Sequence, residues 1–71
     1  MPFIPESIET LCKALTLTQR GLAKRLDVSE PMITQWKQGV KTPRVQNIDN
    51  LYNLARKNGL PIEFYKAPGQ Y

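Results

Sequence analysis

The chain has 71 residues, enough for one small domain but too few to enclose a sizeable cavity, and its 41% hydrophobic content excludes a disordered segment. It has no histidine, a single cysteine (Cys12) and six scattered acids. That excludes the usual zinc sites, nucleophile–base pairs and an internal disulfide, so neither an enzyme nor a bound cofactor is expected. The net charge of +4 lies wholly between Arg20 and Arg44, where Arg20, Lys24, Arg25, Lys37, Lys41 and Arg44 outnumber Asp27 and Glu30. Solubility alone does not require such placement, but a polyanionic partner does. No apolar run approaches the ~20 residues that span a bilayer, and MPFIPESIE lacks the features of a signal peptide, so a cytoplasmic location is expected.

Pro5 to Leu15 reads as a first helix, with Ile8, Leu11, Cys12 and Leu15 on one apolar stripe. Phe3 and Ile4 are expected to fold over its end, and Cys12 to act as a small buried hydrophobe. Thr18 is the candidate N-cap of a second helix, Gln19 to Leu26, with Leu17 and Leu22 as its hydrophobic staple. Leu26-Asp27-Val28 makes the turn, and Asp27 is among the few residue types that tolerate a left-handed backbone. The start signal then repeats. Ser29 caps a third helix, Glu30 to Gln38, with Val28 and Ile33 as staple, Pro31 in the first turn and Gly39 at the stop.

Leu22, Ala23, Leu26, Val28, Ile33 and Trp36 are expected to meet in one seam. This leaves Ser29, Glu30, Met32, Thr34, Gln35 and Lys37 as an outer face. A loop, VKTPRVQ, carries Lys41 and Arg44. Asn47 is the expected cap of a fourth helix running to about Lys57, and Asn58-Gly59 ends it. Pro61 to Lys66 reads either as a short fifth helix or as a strand, with Leu60, Phe64 or Tyr65 available to a second subunit. Pro68-Gly69 breaks regular structure near the end.

The stretch LTQRGLAKRLDVSEPMITQWKQG resembles the helix-turn-helix of the lambda-repressor-like Cro/CI (XRE) family. Its Thr-Gln, Leu-Ala, turn, Val-Ser, β-branched core residue, aromatic residue and Gly stand in the family's register. Gly21, where a longer side chain is usual, Asp27 in place of a glycine, and a longer loop after the third helix are departures. The resemblance implies an all-α fold: a compact four- or five-helix bundle forming one DNA-binding domain over residues 1–71. Its core would span about residues 5–60, with the tail as a candidate dimerisation element.

It further implies double-stranded DNA as partner, a homodimer, and a small transcriptional repressor that acts by occupying its operator, with no small-molecule effector. The third helix would enter the major groove. The family's base-contacting positions correspond to Ser29, Glu30, Pro31 and Gln35, and Met32 and Thr34 complete that face. Gln35 has the two amide atoms that pair with adenine, Glu30 can accept from cytosine N4, and Met32 or Pro31 can touch a thymine methyl. Gln19 matches the family's phosphate contact. Arg20, Lys37, Gln38, Lys41, Thr42 and Arg44 are the further phosphate candidates. Trp36 belongs to the core. An antitoxin or restriction-controller protein of the same fold is the first alternative. A helical protein-interaction module without DNA contact is the second, and the placement of charge opposes it.

Overall fold

Capping signals divide the chain into short helices. A computed structural model describes residues 3–65 and contains α1 (Glu6–Leu15), α2 (Gln19–Leu26), α3 (Glu30–Gln38) and α4 (Val45–Lys57). Two starts are built alike. The Thr18 hydroxyl accepts from the Gly21 amide at 3.0 Å, and the Ser29 hydroxyl from the Met32 amide at 3.3 Å. Each satisfies a backbone donor that has no partner inside its helix.

The stops are also alike. Thr16, Asp27, Gly39 and Gly59 all take positive φ, and the next amide reaches back five residues: Leu17 to Cys12, Val28 to Ala23, Val40 to Gln35, Leu60 to Ala55. This closure is normally sealed by an apolar side chain after the left-handed residue. Leu17, Val28 and Leu60 do pack against the core. Val40 does not, and it is 67% exposed.

The apolar stripes converge on one cluster. Ile8 and Leu11 of α1, Leu22, Ala23 and Leu26 of α2, Ile33 and Trp36 of α3, and Leu51 and Ala55 of α4 are buried with Phe64 of the tail. α3 packs on both α1 and α2, and α2 also meets α4. The expected seam is therefore present, with Val28 half-buried at its edge, and Cys12 is half-buried rather than fully so. Each large side chain removed from water contributes about 1.5–3 kcal/mol. The 13-residue α4 has the broad apolar side expected, although only Leu51 and Ala55 on it are fully buried.

Two expectations are corrected. α4 begins at Val45 with Arg44 at its N-cap, three residues before the expected cap, and Asn47 sits inside the first turn instead of capping it. Pro43 is buried and Arg44 is extended (φ −71°, ψ 161°), so the helix starts once the chain has left that anchor. Nor does the tail form a fifth helix or a regular strand in the described residues.

Residues 60–65 form no helix: the Ile62 amide donates back to the Leu60 carbonyl at 3.0 Å in a tight turn, the chain bends at Phe64, and the segment returns to the N-terminus. There the Ile4 amide donates to the Phe64 carbonyl at 2.7 Å, and Phe3 forms an isolated antiparallel bridge with Tyr65. Phe64 is completely buried in the chain's own core, so it cannot serve a second subunit. Burial of that ring in the core favours an irregular cover over another helix. Lys66, Pro68 and Gly69 lie outside the described residues.

Candidate nucleic-acid interface

A helix with core contacts on one side only leaves its remaining side to solvent, and α3 is built this way. Ile33 and Trp36 are buried, whereas Ser29, Glu30, Pro31 and Met32 are exposed and Gln35 is half-exposed. Helical spacing puts Pro31, Gln35 and Gln38 opposite the core-facing pair. Glu30, Thr34 and Lys37 line the flank toward α2, and Met32 lines the flank toward α4. Met32 is 38% exposed, unusually open for a large apolar residue, and is available to an apolar group such as a base methyl.

On the α4 side, Ser29, Met32, Gln35, Lys41, Thr42 and Arg44 line one concavity of about 560 Å³. Three expected base contacts and three expected phosphate contacts thus share a surface. Asn47 lies at the same concavity, a placement the sequence reading missed because it assigned this residue to capping. The start of α4 opens nearby, and no side chain caps it, unlike α2 and α3. Free amides beside Lys41 and Arg44 suit an anionic oxygen. The only sequence signal for this start was Pro43-Arg44 preceding an apolar-periodic run.

On the α2 side, Arg20 and Lys37 are exposed, but Gln19 is half-buried and occupied. Its Nε2 donates to Thr34 Oγ1 at 2.7 Å, and its Oε1 accepts from Lys37 Nζ at 3.5 Å. Thr34 Oγ1 in turn donates to the Glu30 carbonyl at 3.3 Å. Thr34 therefore faces α2 more than the open side of α3. Nearby, burial pushes the Cys12 thiol above its ordinary range, against the opposing pull of the Lys37 charge. A neutral, poorly reactive thiol results.

Charge remains available across this face. Among the described residues the only ion pair is the exposed Glu9–Lys13 contact on α1, at 3.3 Å. None of the six cations between Arg20 and Arg44 is neutralised by a salt bridge there. Glu30, the acid on α3, sits in the first helical turn, where the dipole stabilises it.

Two capped helices joined by a left-handed turn, the second open on one side and flanked by free cations, define a helix-turn-helix DNA-binding domain. The chain belongs to the Cro/CI-like (XRE) helix-turn-helix family, whose model matches residues 8–65. No curated protein and no solved structure matches it. The family is one of DNA-binding transcription regulators, and DNA binding is the function it assigns to this chain.

Proposed function

We propose that the protein is a sequence-specific repressor that lays α3 in the major groove of its operator and acts by occupancy as a homodimer. The observation carrying this reading is the two-sidedness of α3. Ile33 and Trp36 lock it to the core, while the Glu30–Gln35 face stays open beside unpaired cations. Gln35 reads a base through its amide, Glu30 and Met32 add contacts on either flank, and Pro31 and Ser29 approach at the helix start. Lys37, Gln38, Arg20, Lys41, Thr42 and Arg44 hold the phosphates on both sides of the groove.

Dimerisation is supported by dimensions and by surface chemistry. Half-sites one turn apart are separated by roughly 34–36 Å. The molecule measures 33 × 27 × 20 Å, so two copies on successive turns of one DNA face reach each other when their long axes lie along the duplex. Val40 and Val45, 67% and 77% exposed, lie at the two ends of the α3–α4 loop and offer apolar surface to the second copy.

A binding-site selection at two salt concentrations, with the mass of the complex measured on the selected duplex, tests the reading. The expected result is a two-fold symmetric site carrying two chains. Gln35→Ala then loses preference at one position of each half-site, worth about 1–3 kcal/mol. An unselective pool, or an unchanged profile for the variant, defeats it.

A further inference from the structure

Base recognition demands a reading helix held to about 0.5 Å. Ile33 and Trp36 hold one side of α3 to the core, but apolar packing is non-directional and leaves the exact tilt and rotation of the helix to directional contacts. The directional restraint between α2 and α3 is polar. Gln19, the first residue of α2, contacts α3 through both ends of its amide, at Thr34 and at Lys37 one turn further on.

We propose that Gln19, Thr34 and Lys37 form a latch that sets the tilt and rotation of α3 on α2. Thr34 is then a positioning residue for DNA recognition that acts through Gln19 and touches no base. The inference rests on the DNA-binding reading above. Its chemistry follows from hydrogen-bond capacity. The single O–H of Thr34 is given to the Glu30 carbonyl, and one oxygen lone pair is taken by Gln19. No donor remains for a base edge. Without that hydroxyl, the half-buried Gln19 amide loses its acceptor and α3 loses its directional restraint on α2.

The test compares the full chain with Thr34→Ser, Thr34→Val, Gln19→Ala and the Val/Ala double variant. NMR of the DNA-free protein follows the Gln19 side-chain amide. Slowed exchange with water and a shifted resonance are expected in the parent and in Thr34→Ser, and both features vanish in Thr34→Val. An ordinary, fast-exchanging amide in the parent overturns the latch, whatever the protein does with DNA.

Binding-site selection then gives the functional half. Thr34→Ser keeps the parent's profile. Thr34→Val and Gln19→Ala each lower the ratio of specific to non-specific affinity by about tenfold, and the double variant is no worse than either single. A changed preference at one base position in Thr34→Ser, or additive losses in the double variant, shows direct contact and sinks the positioning role. If the amide signature is present but the parent ignores duplex DNA, the DNA reading falls, and the positioning role falls with it.

Discussion

Thr16 and Asp27 both close their helices in the left-handed region, at φ 55° and 57°, but they tolerate it unequally. Asp is a short polar residue that visits this region. Thr is β-branched, and the strain is of order 1–2 kcal/mol. Thr16→Gly relieves it at some cost in unfolded-state entropy. The expected gain is about 0.5–1 kcal/mol, seen as a rise of about 2–8 °C in Tm by calorimetry. Tyr52 is the second residue with a measurable signature. Its hydroxyl donates to Glu63 Oε2 at 3.1 Å and accepts from the Phe64 amide at 3.2 Å. Burial raises its pKa above the ordinary value near 10, the Phe64 amide opposes this, and Glu63 adds to it. The folded state therefore holds this proton more tightly than the unfolded state. The contribution is complete below about pH 10 and is lost as pH rises through the folded value. Denaturant titrations across that alkaline window should show a shallower fall for Tyr52→Phe than for the parent.

Among the elements, the irregular tail behaves least as its length suggests. Phe64 fills the core, its ring meets Tyr52 edge-on at 4.9 Å, and the Phe64 carbonyl accepts from Ile4. A segment with no helix and one isolated bridge thus joins the two ends of the described chain. Phe64→Ala is expected to cost about 3–5 kcal/mol, against about 4–10 kcal/mol available to a chain of this size. Urea unfolding followed by Trp36 fluorescence measures it, and a loss below about 1 kcal/mol would show that the tail is dispensable. The helices themselves were legible because their caps are local. Thr18, Ser29 and Gly39 bond within four residues of their own position and need no distant partner. The start of α4 was not legible. It depends on Pro43 being buried, which is a tertiary fact, and Asn47 only looked like a cap.

For the whole molecule, charge distribution is the property with the clearest consequence. The loop cations Lys41 and Arg44 border the concavity beside α3 without a salt-bridge partner among the described residues. Each phosphate contact contributes roughly −0.9 to the slope of log affinity against log salt. Lys41→Ala with Arg44→Ala should therefore weaken specific and random duplexes alike and reduce the slope by about 2, as read by fluorescence anisotropy over a salt series. A loss confined to the selected site would instead make these residues base readers. In the candidate site, the open face of α3 and its flanking charge were visible from helical spacing and composition. The occupation of Gln19 was not, because its partners lie fifteen and eighteen positions away in sequence.

Short-range chemistry was sufficient for the sequence to determine four helices, their order, the Ile33–Trp36 side that packs and the cationic surroundings of the side that does not. Caps, left-handed stops and 3.6-residue periodicity each act within a few neighbours. Only the tertiary structure decided that the tail seals the core through Phe64, that α4 begins at Val45, and that Thr34 turns toward Gln19. Those outcomes depend on which distant surfaces meet, and burial of an apolar ring or satisfaction of an amide is settled only once they do.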